Sequence, residues 1–460
     1  MEQTVKENKM GTMPIPKLLF SMSVPIIISM LVQALYNIVD SVFVAAFDPD
    51  AGTAALTLAT PIQNLMIAVS VGLAVGMNAL LSRALGQKNF ERANHIAGQG
   101  YFLTFCGYLL FLAFGLFLTV PYINLQTAKE TNPLIAAYGI DYLSIVCIGS
   151  LGIFVQVTGE RLLQSTGKTV LSMVVQGAGA ITNIVLDPIL IFGIGDVMPA
   201  MGVSGAALAT IIGQFVSASL AILLNLTCNK ELTLRLRALR PAPMLLKEML
   251  AIGIPSVLMQ GIGSITLFCM NNILLSFREV GVTAMNVYGI YFKLQSFIFM
   301  PIFGLNNGMI PIIAYNYGAK KRDRVISTMR LSIITAMVYM LLGLLIFQCF
   351  PDQLFSIFKA SDQMKELGRV ALRVISLSFV FAGFCIVTLS VCQALGKSIY
   401  SLITSAGRQL VILIPAAFLL SLSGNVDLVW WSLPIAEIIS VMLSTFFVLR
   451  VMRKLLPKEQ

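Results

Sequence analysis

Long apolar stretches separated by short polar segments dominate the chain. A helix needs roughly 20 apolar residues, at about 1.5 Å per residue, to cross the hydrocarbon core of a membrane, and these stretches reach or exceed that length. Helices are expected throughout, because a lipid-exposed segment must satisfy its own backbone hydrogen bonds. The pattern predicts twelve spans, at residues 18–47, 54–81, 93–120, 137–160, 169–193, 202–228, 248–277, 282–310, 325–350, 367–395, 398–422 and 428–450.

The composition agrees with this prediction. Hydrophobic residues make up 57% of the 460 residues and charged residues only 11%, whereas a soluble domain carries about 25% charged residues. The seven cysteines lie in or beside apolar stretches without a CxxC motif, so neither a disulfide framework nor a zinc site is indicated. The sequence therefore predicts an all-α integral membrane protein.

The positive charges indicate how the chain crosses the membrane. Most of the 31 Lys and Arg residues fall in segments on one side of the twelve predicted spans, and the positive-inside rule assigns that side to the cytoplasm. Both termini are then cytoplasmic, in the plasma (inner) membrane. The stretch 18–47 is too long for a signal-peptide core, so it is expected to remain as the first span. The net charge of +10 forms no basic face with interleaved aromatics, and nucleic acid is not an expected partner.

The two halves of the chain share sequence at an offset of about 230 residues. The aligned pairs are 71–93 with 303–325, 164–168 with 393–397, and Pro25 with Pro255. Each repeat contains six predicted helices, an even number, so both repeats enter the membrane from the same side. Transporters bind substrate between such parallel repeats and alternate by moving one against the other.

The repeat and the charges together predict three regions along the chain. An N-terminal lobe would occupy residues 1–228 and a C-terminal lobe residues 248–460. The basic segment 229–247, which contains Arg240-Pro-Ala-Pro243, would be a cytoplasmic linker between them.

Two acids lie well inside the predicted spans of the N-terminal half, Asp40 in span 1 and Asp187 in span 5, whereas Asp141 and Glu160 lie near the ends of span 4. A charge at the bilayer centre costs about 2.5–3.5 kcal/mol on insertion scales, so such acids usually serve a function. Tyr36 and Asn183 precede them by one helical turn and share their faces, and Thr210 of span 6 lies at a similar depth. These oxygens would suit a hard cation, or the two carboxylates could share one proton. Alternatively, the polar side chains only join neighbouring helices.

The C-terminal half departs from this pattern. Met270 and Ala416 occupy the positions that correspond to the two acids, and the charges are Lys293 in span 8, Arg408 in span 11 and Glu437 in span 12. Lys293 and Glu437 lie at similar depths, which predicts an ion pair that either fixes the packing of the lobe or gates substrate. All three charges are candidates for lining a substrate cavity.

Two glutamines are further candidates for a central cavity. Gln33 and Gln260 lie at similar levels of spans 1 and 7. Some of the 23 methionines could also line it, because methionine surfaces repack around varied ligands.

Several classes of function compete with transport. A flippase for a lipid-linked oligosaccharide is the main alternative, but it should line its cavity with several basic residues, and only Lys293 and Arg408 qualify. An intramembrane enzyme is not expected, because HExxH, GxSxG and paired-Asp motifs are absent from the sequence. A channel is disfavoured by the two-lobe repeat.

Three segments resemble the multidrug and toxic compound extrusion (MATE) family, and the resemblance extends along nearly the whole chain. They are VPIIISMLVQALYNIVDSVFV at 24–44, TNIVLDPILIFGIGDVMPAMGVSGAALAT at 182–210 and PIFGLNNGMIPIIAYNYGAKK at 301–321. The first carries Asp40, and the second carries the Asn183–Asp187 pair. The resemblance implies two six-helix lobes in a V shape that export drugs in exchange for cations.

The resemblance also implies where the cation binds. Some members carry a coupling acid in the seventh or tenth helix, and this sequence has none there. It therefore resembles the branch whose cation site lies in the N-terminal lobe, with Asp40, Asn183 and Asp187 as sodium ligands if sodium is the coupling ion. The hydroxyl ligand of that branch is placed at Thr210, with Ser204 as the alternative.

From the residues and the resemblance together, we expect a secondary transporter and not an enzyme. It would export small organic compounds, cationic or amphipathic, by alternating access. The coupling ion would be sodium or a proton, with no other cofactor. The expected partners are drug-like molecules and membrane lipid, and the expected state is a monomer.

Overall fold

The computed structural model describes residues 8–128, 132–195, 198–233 and 240–455. Within these ranges the chain is helical, and its one pairing of extended backbone is an isolated bridge between Ile194 and Met198. The predicted linker 229–247 lies partly outside the described residues, since 234–239 are not among them.

The first half of the chain forms nine α-helices and one π-helical segment within the described residues. They are α1 Lys9–Thr12, α2 Ile15–Phe47, α3 Ala51–Gly86, α4 Phe90–Ala113, a π segment Phe114–Leu118, α5 Thr119–Gln126, α6 Pro133–Ile148, α7 Leu151–Ser165, α8 Thr169–Phe192 and α9 Gly202–Thr227.

The second half forms ten α-helices and one π-helical segment within the described residues. Its helices are α10 Pro243–Leu275, α11 Gly281–Gly318, α12 Arg322–Cys349, α13 Pro351–Ile357, α14 Asp362–Ser376, α15 Phe379–Ala394, α16 Ser398–Ala406, a π segment Gly407–Leu413, α17 Ile414–Ser421, α18 Val426–Val429 and α19 Ser432–Leu455.

Ten continuous helical stretches of the described chain are long and apolar enough to cross a membrane. Two bent helix pairs raise the number to twelve when each pair counts as one span. The predicted fold class, an all-α membrane protein with twelve spans, is confirmed.

The two bent spans are the fourth and the tenth, which the sequence predicted as single helices over 137–160 and 367–395. α6 and α7 meet at 45°, and α14 and α15 meet at 47°. Gly149 and Ser150 separate the first pair, and Leu377 and Ser378 separate the second. The two breaks lie at corresponding positions of the two repeats, and neither contains a proline, the residue that commonly causes a sharp kink.

Matching turns also relate the two repeats. Lys88 and Lys320, which the sequence aligns, both adopt a positive φ, at 57° and 58°. Gly167 and Gly396, also aligned, have φ values of 84° and 76°. A positive φ is uncommon for a residue other than glycine, so the shared lysine conformation shows that the two loops are built alike.

The chain forms two compact units. One unit is Val24–Gly253, and the other combines Met1–Ser23 with Ile254–Gln460. The helices α2 and α10 therefore each contribute their first turns to one unit and the remainder to the other. The lobe boundaries predicted from the sequence, 1–228 and 248–460, stay a prediction about the chain's organisation.

Each unit has its own core. In the first unit the core joins Phe111, Phe154, Val146 and Ile191 across four helices. In the second, the rings of Phe299 and Phe347 pack edge-on against Phe379.

Candidate cation-binding site

Three helices of the unit Val24–Gly253 carry the predicted site. Asp40 lies on α2, Asn183 and Asp187 lie on α8, and Thr210 lies on α9. Although most of each helix is apolar, these polar side chains point inward: Asp40 is 8% exposed, Asn183 2% and Asp187 fully buried. Burial at this level is unusual for acids that have no ion-pair partner.

Asn183 joins two of the other residues. Its Nδ2 donates to Asp187 Oδ1 at 3.4 Å and to Thr210 Oγ1 at 3.3 Å. Asn183 and Asp187 are one turn apart on α8, which is why their side chains meet. Thr210, rather than Ser204, is thus the hydroxyl of α9 that contacts the amide.

Three oxygen atoms of the site have no hydrogen-bond donor among the described residues. Asp40 Oδ1, Asn183 Oδ1 and Asp187 Oδ2 are buried and accept no hydrogen bond from the described residues. Asp40 and Asp187 are close enough to interact electrostatically, and Tyr36 interacts with both. Buried polar atoms are normally satisfied, so oxygen acceptors of net negative charge indicate a place for a cation or a proton.

The donor set suits a hard cation. Carboxylate, amide and hydroxyl oxygens are the ligands that sodium-like ions take. Among the described residues, no group of three or more His, Cys, Asp and Glu side chains is placed to hold a metal ion. A cation at this site would therefore combine the two carboxylates with Asn183 and Thr210.

A cavity opens beside the cluster. The cavity is small and open to its surroundings, and its lining includes Tyr36, Asn183, Thr210, Gln156 and Gln176. No Lys or Arg is among its described lining residues. The cavity offers oxygen acceptors and amides to a ligand but no positive charge.

Sequence reasoning missed a polar chain beside this cavity. Gln156 Nε2 donates to Gln176 Oε1 at 2.8 Å and to Glu160 Oε1 at 3.0 Å. Glu160 also interacts electrostatically with Tyr36. The available signal was polar residues one turn apart, at 156 and 160, within an apolar span.

The two glutamines predicted to face a central cavity lie in different units. Gln33 lies about one turn before Tyr36 on α2, in the first unit. Gln260 lies on α10 in the other unit and is exposed. Their shared cavity stays a prediction.

The predicted ion pair between Lys293 and Glu437 is wrong. Arg408 Nη1 donates to Glu437 Oε1, and this ion pair is largely buried. Lys293 is exposed, and its Nζ lies 5.9 Å from the centre of the Phe358 ring. The two residues share a depth, but depth does not specify which face of each helix a side chain occupies.

The MatE family model matches the chain twice, over residues 25–189 and 255–419. The two matches begin at Pro25 and Pro255, the pair that the repeat aligned, and together they cover more than half of the chain. The internal repeat and the resemblance to the MATE family are confirmed.

Relatives match over nearly the full length. The multidrug export protein MepA of Staphylococcus haemolyticus is 27% identical over 438 residues, 94% of this chain and 93% of that protein. The FAD transporter of Shewanella oneidensis is 26% identical over 435 residues, 93% of this chain and 92% of that protein.

Solved structures share the fold. The MATE multidrug transporter DinF-BH is 30% identical, covers 99% of this chain and 100% of its own, and superposes with a TM-score of 0.86. An outward-facing MATE family transporter has a TM-score of 0.87 at 24% identity, with both chains fully covered. This multi-pass membrane protein belongs to the MatE family.

Proposed function

We propose that the protein exports small organic molecules across the plasma membrane in exchange for sodium ions or protons. The observation that carries the proposal is the set of three buried oxygens on Asp40, Asn183 and Asp187 that have no donor among the described residues. Intramembrane acids mark ion pathways in transporters. A pair of acids that binds a cation in one conformation and releases it in another supplies the coupling.

The mechanism follows from differential affinity. A ligand shifts a conformational equilibrium only as far as its affinity differs between the two states. With no cation bound, the buried carboxylates of Asp40 and Asp187 repel each other. A cation or proton removes that repulsion and favours closer packing of α2 and α8. A drug that prefers the other arrangement then competes with the cation through the conformation of the protein.

The chemistry of the cavity supports cationic or amphipathic substrates. Its described lining contains amides and hydroxyls and lies beside the acids, without Lys or Arg. The relatives named MepA and DinF-BH are multidrug transporters, and another relative is named a FAD transporter. We infer that a positively charged dye is accepted here and that FAD, an anion, is not.

The remaining features of the proposal come from the sequence. Both termini and the 229–247 segment face the cytoplasm, as the distribution of Lys and Arg indicates. The protein acts as a monomer with its cation site in the N-terminal half. A flippase for lipid-linked oligosaccharide is not favoured, because the family and relatives that match are MATE transporters.

The test is transport in vesicles. Purified protein in liposomes is given an inward or outward gradient of sodium or of pH. The cationic dye ethidium is followed by its fluorescence, with DNA enclosed in the vesicles to bind it, and FAD is the parallel substrate. We expect ethidium to move opposite to one of the two gradients and FAD to remain unaffected. An ethidium transport rate that depends on neither the sodium gradient nor the pH gradient would contradict the proposal.

A further inference from the structure

The Arg408–Glu437 ion pair of the C-terminal unit lies at repeat positions that correspond to residues around the cation site, whereas Met270 and Ala416 occupy the positions of the two acids. Residues 205–213 of α9 read GAALATIIG, and residues 432–440 of α19 read SLPIAEIIS. The two segments share an Ala and two Ile residues at the same positions, and small residues at both ends. In this alignment Thr210, which contacts Asn183, corresponds to Glu437.

A second alignment places Arg408 at the same site. Gly167 and Gly396 form matching turns before α8 and α16. Counting equally from these turns, Gly179 of α8 corresponds to Arg408. Gly179 lines the cavity of the first unit, so the arginine occupies the position of a cavity-lining glycine.

The local geometry of the two units differs accordingly. A Cβ on Gly179 would lie 2.1 Å from Ser217 Oγ and 2.8 Å from the carbonyl oxygen of Gly213, so α8 and α9 are closely packed there. In the second unit the corresponding helical stretch contains a π-helical segment, Gly407–Leu413, between α16 and α17. A π turn is wider than an α turn and is frequent at functional sites, and Arg408 lies within this one.

Among the described residues, the ion-pair partner of Glu437 is Arg408. Glu437 is 7% exposed. Tyr291 of α11 and Cys385 of α15 interact electrostatically with Glu437, and both are neutral side chains. Within the described part of the chain, Glu437 Oε2 accepts no hydrogen bond and Arg408 Nε donates none.

We propose that the Arg408 guanidinium is a built-in cation that permanently fills the C-terminal counterpart of the cation site. Without that side chain, Glu437 becomes a second site for a sodium ion or a proton. The inference rests on the proposed function, because it uses Asp40, Asn183 and Asp187 as the reference site. Its consequence is that only the N-terminal site loads and unloads, which limits the number of cations exchanged per drug.

The experiment measures the unfolding midpoint of the purified full-length protein against sodium at fixed pH and against pH without sodium. The background is the double variant Asp40→Asn/Asp187→Asn, which lacks the reference site. Arg408→Met is added to it, and then Glu437→Gln. A ligand that binds only the folded protein raises the midpoint with the logarithm of its concentration.

We expect the background to show no stabilisation by either cation. Arg408→Met should restore a saturable stabilisation by sodium or by low pH, and Glu437→Gln should abolish it again. No restored response, or one that survives Glu437→Gln, would overturn the inference. A background that is still stabilised by sodium or low pH would count against the N-terminal site. The inference about Arg408 would then be decided by comparing the cation-dependent midpoints of the Arg408→Met protein with and without Glu437→Gln.

A folding defect in Arg408→Met also gives an answer. An unpaired buried charge is strongly destabilising, so this variant is additionally prepared in sodium and at low pH. The yield of monodisperse protein should recover either with the cation or with Glu437→Gln. Failure of both to rescue the yield would refute the built-in cation.

Discussion

Replacing Asp187 by Asn removes one of the two carboxylates and keeps the shape of the side chain. Asp187 is fully buried, its Oδ1 accepts from Asn183 at 3.4 Å, and its Oδ2 has no donor within the described residues. Among the described residues, the variant loses no ion pair and one long hydrogen bond at most. We therefore expect Asp187→Asn to fold and insert as the parent protein does.

The loss of cation affinity should be large. A cation about 4 Å from a carboxylate gains about 4 kcal/mol at an effective dielectric constant near 20. Since about 1.4 kcal/mol corresponds to a tenfold change in affinity, removing that attraction weakens binding roughly a thousandfold. Asp40→Asn should behave similarly, because Asp40 is also buried and interacts with Asp187.

The assay is stabilisation of the purified protein by the coupling cation, with the midpoint of thermal unfolding as the readout. Asp141→Asn is the matched control, because Asp141 is an exposed acid in a helix of the same unit. The parent and the control should be stabilised, and Asp187→Asn should respond only at far higher cation concentration. An unchanged response in Asp187→Asn, at equal folding, would refute the reasoning.

Further variants test packing, ligation and topology. Gly179→Ala should lower the free energy of unfolding by about 1–3 kcal/mol through overpacking, because its Cβ would lie 2.8 Å from a backbone oxygen. Gly177→Ala, which has open space around it, should not, and equal unfolding midpoints for the two variants would contradict the close packing. Thr210→Val should lower the apparent cation affinity about tenfold, the order of one lost polar contact, whereas Thr210→Ser should keep the affinity of the parent protein. Equal affinities for the parent and both variants would remove Thr210 from the site. In a protein without the seven native cysteines, an impermeant reagent outside intact cells should label Gln363→Cys and not Gln87→Cys; the reverse pattern would invert the topology.

Much of the fold could be predicted from hydropathy alone. A membrane span must be about 20 apolar residues long and helical, so length and polarity suffice to count the spans. The breaks after α6 and α14 could not be predicted, because no proline lies at Gly149–Ser150 or at Leu377–Ser378. Such bends depend on how neighbouring helices pack, which a single segment does not encode.

The site could be predicted only in part. Asp40 and Asp187 stood out because acids are rare in spans, and the one-turn spacing of Asn183 and Asp187 placed them on one face. The partner of Glu437 was predicted wrongly, because sequence gives depth along a helix but not its rotation. The π-helical segment at Arg408 changes that rotation locally and has no simple sequence signature.

The most direct test of cation-coupled export is to run the exchange backwards. Liposomes containing the protein and buffered equally on both sides receive ethidium on one side only, and the movement of protons or sodium is recorded with an internal fluorescent indicator. The account predicts that the movement of ethidium in one direction drives the coupling cation in the opposite direction and that Asp187→Asn abolishes this cation movement. Ethidium flux with no accompanying cation movement in the parent protein would contradict it.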